Sequence, residues 1–247
     1  MFWISSMKSN RLDYMVALRF NLSRSHALDQ IKQGNIKVND TIISKPSYAV
    51  KENDILKLSH DQHFVSRGGY KLEAVLIETN CLIKGKDCLD VGASTGGFTH
   101  CLLNHEAASV VTIDVGSNQL HPTIQNHLHV QWHENTNIND VKPSDYPFGF
   151  DIIVVDVSFT TLKHVFLAIH HLLKANGSIF LLFKPQFEVG KEYLNKKGIV
   201  KQQSIVNQLL SDYVTYFQTF KYPNIQVIPC QLKGKQGNQE YFIYLSR

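Results

Sequence analysis

The chain has 247 residues, 43% hydrophobic and 11% aromatic, which excludes disorder by composition and allows one large core or a small and a medium one. Its net charge of +4 is unevenly placed: residues 1–71 hold 11 Lys/Arg against 6 Asp/Glu, and the rest hold 14 against 15. Cys81, Cys88, Cys101 and Cys230 form no CxxC pair, which excludes zinc spacing, and no apolar run approaches the roughly 20 residues that cross a bilayer.

A basic module joined to a near-neutral one reads as a polyanion-docking part followed by a chemistry part. The start, MFWISSMKSNR, is too short in apolar residues for a secretory signal. A cytoplasmic protein with buried free thiols is expected.

The first predicted element is an amphipathic helix over residues 11–22, with Leu12, Met15, Val16 and Leu18 on its apolar side. Ser23 is placed to cap a second helix, SRSHALDQIKQG, which buries Ala27, Leu28 and Ile31 and ends at Gly34. Short strands follow at 36–38 and 54–58, with a turn at Asn39-Asp40. The stretch RLDYMVALRFNLSRSHALDQIKQGNIKVND resembles the S4 RNA-binding domain. That resemblance makes Arg11, Arg24, Ser25, Lys32 and Lys37 candidate RNA contacts, with Arg67 beyond them. Residues 59–66 are polar and aperiodic, so the expected domains are 1–60 and 67–247 around a linker at 61–66.

From residue 87 strands and helices alternate. Strands are predicted at 88–91, 109–114, 129–132, 151–156, 178–183, 225–228 and 241–245, and helices at 98–104, 162–173 and 206–217. This is the pattern of an α/β, mostly parallel, doubly wound Rossmann-like sheet. The first strand ends in Asp90-Val91-Gly92-Ala93-Ser94-Thr95-Gly96-Gly97-Phe98. Glycines there let the backbone pass close to a bound nucleoside. Asp114 ends the next strand, where a carboxylate can hold ribose hydroxyls. The spacing D-x-G-x-x-x-G-G points to S-adenosylmethionine rather than a dinucleotide. The expected cofactor set is Asp90, Gly92, Ala93, Ser94, Gly96, Gly97, Phe98, Asp114, Val115, Asn137 and Asp156. A side chain added at Gly96 is expected to occupy donor space.

Four charged residues stand at strand ends or near them: Lys71 in SRGGYKL, Asp156 in VVDVSF, Lys184 in KPQFEVG and Glu240 in GNQEYF. Ligands in open α/β sheets bind at the carboxyl ends of the strands. These segments, with CLDVGASTGGFT and DVGSNQL, resemble the TlyA family of ribosomal RNA 2′-O-methyltransferases, historically labelled haemolysin-like. The catalytic half is also similar to FtsJ-type enzymes with a Lys-Asp-Lys-Glu tetrad. The resemblance implies that Lys71, Asp156, Lys184 and Glu240 are catalytic, that a cytidine in ribosomal RNA is the target, and that no metal is needed. Tyr70 stands where the family has His, and Gln62-His63-Phe64-Val65 departs from an Arg-x-Trp-Val pattern.

The implied reaction is in-line attack of a ribose 2′-hydroxyl on a sulfonium methyl. Lys184 could act as a neutral base or as an orienting ammonium; neighbouring Asp156 and Glu240 favour the latter. Ribosomal RNA or a ribosomal subunit is the expected partner, with no membrane and no stable protein partner. A pore-forming haemolysin lacks an inserting segment, an inactive Rossmann domain would not keep the glycine turn and tetrad, and a pseudouridine synthase needs no such turn.

Overall fold

The computed structural model describes residues 9–20, 22, 24–32, 34–58 and 64–247. They fall into two compact units, divided between residues 63 and 64. Ser23, the Ser25 side chain and residues 61–63 of the expected linker lie outside the described set.

In the smaller unit, α1 (Leu12–Arg19) and α2 (Arg24–Lys32) precede β1 (Ile36–Val38), β2 (Thr41–Ile42) and β3 (Leu56–Leu58). Leu12 and Val16 are one turn apart on α1, and Ala27 and Ile31 one turn apart on α2. All four are buried with Ile36, Val38 and Val50. The sheet is antiparallel in the order β2-β1-β3. Asn39 and Asp40 turn β1 into β2 with φ of 50° and 65°, the left-handed pair a two-residue hairpin needs. The third strand starts later than the apolar pattern suggests. Asp54 is spent on the turn, accepting from Lys51 N–H and the Asn39 side chain.

The larger unit is one seven-stranded sheet covered on both faces. Its strands are β4 (Asp87–Val91), β5 (Ser109–Ile113), β6 (Val130–His133), β7 (Phe150–Val155), β8 (Leu173–Phe183), β9 (Asn224–Pro229) and β10 (Tyr241–Ser246), in the order β6-β5-β4-β7-β8-β10-β9. The first five pair in parallel; β10 is antiparallel to both β8 and β9. Successive side chains alternate between faces. Leu89, Val91, Ile153, Val155, Leu181 and Phe183 pack with α6 (Leu162–Ile169) and α8 (Gln203–Gln218). Cys88, Ile152, Val154, Phe180 and Leu182 pack with α3 (Arg67–Thr79) and α4 (Gly97–Asn104).

Helix α3 is not signalled by the sequence, because Gly68 and Gly69 each cost about 1 kcal/mol in a helix relative to alanine. Packing explains them. A Cβ on Gly69 would lie 2.3 Å from the Phe64 ring, and one on Gly97 would lie 2.1 Å from Ser66 Oγ. The starts of α3 and α4 therefore touch. Residues 64–66 are not linker, contrary to expectation. Phe64 is 1% exposed and meets Tyr70 edge-on at 4.9 Å, and Val65 N–H donates to His100 Nδ1. The predicted helix over 162–173 is also shorter: α6 ends at Ile169, one 3-10 turn follows, and Leu173 already begins β8.

Candidate active site

The strand ends fix the location. Asp156 N–H donates to Val91 O, so the loops after β4 and β7 leave the sheet side by side. Gly92 has φ +83°, and a Cβ there would lie 2.4 Å from Asp156 O. Only glycine fits that crossing. Gly96 also has a positive φ, but its missing Cβ faces Leu120 and Ile124 at 2.9 and 3.1 Å. The expectation that a side chain at Gly96 fills donor space is therefore corrected: it would strike the apolar packing behind the turn.

Asp90 is fully buried beneath this turn. Thr99 Oγ1 donates to its Oδ2 at 2.6 Å, while Oδ1 has no hydrogen-bond partner. Burial pushes its carboxyl up to about 7; Thr99 opposes, and Asp156 and Asp114 add to the rise. Both oxygens of Asp114 accept backbone hydrogen bonds, from Ser94 N–H and Gly116 N–H at 2.7 Å each. Asp114 thus braces the glycine turn. Val115 is exposed, and Asn137 Oδ1 caps the following 3-10 turn by accepting from Asn139 N–H. Ala93 is buried with Leu120 and Ile124. Phe98, expected among the cofactor contacts, belongs to the core instead: it packs on Phe242 with ring centroids 5.9 Å apart.

The four tetrad candidates form two ion pairs. Lys71, in the second turn of α3, reaches Glu240 across the hairpin end, Nζ to Oε2 2.5 Å; Glu240 is buried and the Lys71 side chain nearly so. Lys184, the residue after β8, pairs with Asp156, the residue after β7, and donates to Ser158 Oγ at 3.1 Å. Burial pushes the nearby Cys230 thiol up to about 12, with Lys71 opposing and Glu240 and Asp156 adding.

Three further residues border the site. Phe159 is 91% exposed with φ +64°, and its ring lies 4.9 Å from Phe187, which is itself 5.9 Å from Lys184 Nζ. A non-glycine residue held left-handed and exposed is a strained position, and such strain collects at functional sites. Glu188 accepts from Leu162 N–H at 2.9 Å and from Tyr213 OH at 2.6 Å. It pins the Lys184 turn, α7 (Pro185–Glu188), to the start of α6 and to α8. All three lie inside the quoted segments VVDVSF and KPQFEVG, but only the fold shows what they touch.

In the smaller unit, Asp13 is buried and accepts from both Arg11 and Arg24. Lys32 is exposed, Lys37 half-buried, and Arg67 begins α3 in the larger unit. Among the described residues no helix is long and apolar enough to cross a membrane, and no group of His, Cys, Asp or Glu could hold a metal ion.

A model of the S4 domain matches residues 10–56, and one of the FtsJ-like methyltransferase matches 64–247. The 23S rRNA (cytidine-2′-O)-methyltransferase TlyA of Campylobacter jejuni is 36% identical, over 95% of this chain and 98% of its own. The chain belongs to the TlyA family of FtsJ-like methyltransferases. The 16S/23S rRNA (cytidine-2′-O)-methyltransferase TlyA of Mycobacterium tuberculosis is 34% identical over 90% of this chain and 84% of its own. Hemolysin A of Brachyspira hyodysenteriae is 32% identical over 95% and 98%. Among solved structures, a Streptococcus thermophilus protein described as a haemolysin aligns with TM-score 0.77 and 30% identity, covering 98% of this chain and 90% of that one. The precorrin-6y C5,15-methyltransferase of Geobacter metallireducens shares the fold, with TM-score 0.52 and 15% identity over 76% of this chain and 92% of its own. FtsJ-like membership implies use of S-adenosylmethionine, and the S4 domain implies an RNA substrate.

Proposed function

We propose that the chain methylates the ribose 2′-hydroxyl of a cytidine in ribosomal RNA, using S-adenosylmethionine, in the cytoplasm. The observation that carries this reading is the double ion pair, Lys71–Glu240 and Lys184–Asp156, beside the Gly92 turn. The turn fits the donor. Asp90 Oδ1 is a buried acceptor lacking a donor, which suits the ammonium of the methionine moiety. Gly92 lets the two loops cross beside the turn, Asp114 has lone pairs beyond those it spends on amides, and exposed Val115 offers an apolar surface to adenine.

When bound, S-adenosylmethionine supplies a methyl on sulfonium, whose departure needs no protonation. The protein's task is then to aim and desolvate the hydroxyl. Lys184 is held by Asp156 and Ser158, so its ammonium has one direction in which to donate. It orients the 2′-oxygen and stabilises the negative charge that grows there. Lys71 and Glu240, fixed to each other, help hold the target nucleotide. The S4 unit supplies RNA affinity, through Arg11, Arg24, Lys32 and Lys37, and no chemistry.

Primer-extension mapping of 2′-O-methyl marks in ribosomes with and without the gene tests this. A cytidine mark that disappears without the gene and returns with it is expected. Identical marks in both, together with no transfer to any ribosomal RNA in vitro, would overturn the proposal.

A further inference from the structure

Six lysines beside the site have no task in the chemistry above. The segment between α7 and α8 carries Lys191, Lys196, Lys197 and Lys201 against one acid, Glu192; the hairpin between β9 and β10 carries Lys233 and Lys235 with no acid before Glu240. All six are exposed. Five of the eight other lysines in the same unit, Lys71, Lys84, Lys86, Lys174 and Lys184, are each paired with a carboxylate. None of the six is paired with a carboxylate among the described residues; Lys201 donates only to the carbonyl of Glu192. The near-neutral balance of the whole unit hides this local excess.

Both segments leave the sheet at the site's edge, since Tyr241 pairs with Phe183 on one side and Pro229 on the other. They are also built to a shape. Asn195 Oδ1 accepts from Lys197 N–H and Ile199 N–H, and Asn195 N–H donates to Ile199 O, so Lys196 and Lys197 stand at the tip of a closed turn. Asn238, 4% exposed, joins the two segments: its Nδ2 donates to Gly198 O at 2.9 Å and its Oδ1 accepts from Val200 N–H at 3.0 Å. A buried amide satisfied from both sides fixes one loop against the other. The hairpin in turn folds over the catalytic candidate: a Cβ on Gly234 would lie 2.3 Å from Glu240 Oε1.

We propose that these two latched loops form a second RNA-gripping rim, separate from the S4 unit, that holds the phosphates flanking the target ribose. The inference rests on the 2′-hydroxyl reading of the site. A ribose presented to Lys184 brings its own phosphates to the neighbouring surface, and unpaired lysines held in register are what those phosphates require.

The test uses the full chain with Lys196→Gln, Lys197→Gln, Lys233→Gln and Lys235→Gln combined, and transcribed ribosomal RNA as probe. Each lost phosphate contact lowers the slope of log affinity against log salt by roughly 0.7–0.9, so the slope should fall by about 3. kcat/KM for RNA should drop by about tenfold or more, with donor affinity and Tm unchanged. An unchanged salt slope with unchanged kcat/KM would overturn the rim and leave the reaction standing. A wild type that binds RNA with a slope set by these lysines, yet makes no 2′-O-methyl product, would sink the reaction and leave the rim.

Discussion

Lys71 and Glu240, 169 positions apart in the chain, meet as a largely buried ion pair with Nζ and Oε2 at 2.5 Å. The pair joins the first helix of the catalytic unit to its last hairpin, so the site closes only when both ends of that unit are in place. Removing one partner leaves the other charge buried and alone, which costs about 3–5 kcal/mol. Lys71→Met and Glu240→Leu should each show that loss in urea unfolding, and the double variant should lose much less than the sum. Strictly additive losses would show that the two groups do not depend on each other.

Lys184→Ala should lower single-turnover methyl transfer by at least about 100-fold, as loss of a group that stabilises developing charge does. Donor affinity by calorimetry should stay within about threefold, since the interaction is made in the transition state. Near-normal turnover in this variant would reassign Lys184 to structure.

Asp90 makes a pH prediction. Its carboxyl is raised to about 7 in the folded chain, so the unfolded chain releases this proton first as pH rises. Stability therefore falls between about pH 4 and pH 7, by up to about 4 kcal/mol. Asp90→Asn should remove that slope from the difference in unfolding free energy. In the wild type, donor binding should strengthen as pH rises through 7, because an ionised Asp90 then meets the donor's ammonium. Asp90→Asn should bind weakly at every pH, and a wild-type affinity that is flat from pH 6 to 8 would refute the contact.

Tyr213→Phe removes the hydroxyl that donates to Glu188. Burial raises the Glu188 carboxyl and the Tyr213 hydrogen bond opposes that rise. The loss should be about 1–3 kcal/mol where Glu188 is ionised and smaller where it is protonated. Thermal unfolding of the variant and the wild type at pH 5 and pH 8 should therefore diverge more at pH 8. A gap that shrinks toward high pH would contradict the assigned hydrogen bond.

For the smaller unit, Arg11 and Arg24 are poor places to begin, because both hold the buried Asp13. Lys32→Gln with Lys37→Gln leaves that cluster whole. The pair should lower the salt slope of RNA binding by roughly 1.4–1.8 without touching donor affinity. An unaltered slope would mark this face as merely solvated.

Much of this was legible before folding. Strand positions follow from apolar runs such as Asp151–Asp156, because strands covered on both faces read as continuous hydrophobic stretches. Gly92, Asp156 and Lys184 were legible for a related reason: polar or bare residues interrupt such runs at the strand ends, where open α/β sheets bind their ligands. What stayed hidden is what depends on packing. Helix α3 is masked by Gly68 and Gly69, whose purpose is contact with Phe64 and α4. Phe98 reads as part of the glycine motif yet turns inward, because α4 rotates it onto Phe242. Phe159 and Glu188 fall inside quoted motifs, yet their contacts stayed hidden, since their neighbours come from other strands and helices. The lysine rim was cancelled in the charge count by acids elsewhere on the same unit.

Asn238 has a consequence for how this protein can vary. It bonds to the backbone at Gly198 and Val200, not to side chains, so it reads the path of the neighbouring loop rather than its sequence. Asn238 sets no demand on the side chains at the tips, but an insertion or deletion in the 190–201 segment shifts the carbonyl and amide that it needs. In a set of relatives, the lengths of this segment and of the 230–240 hairpin should therefore change together or not at all. A chimaera that exchanges one loop alone should expose a buried amide, while one that exchanges both as a unit should keep the edge of the site intact.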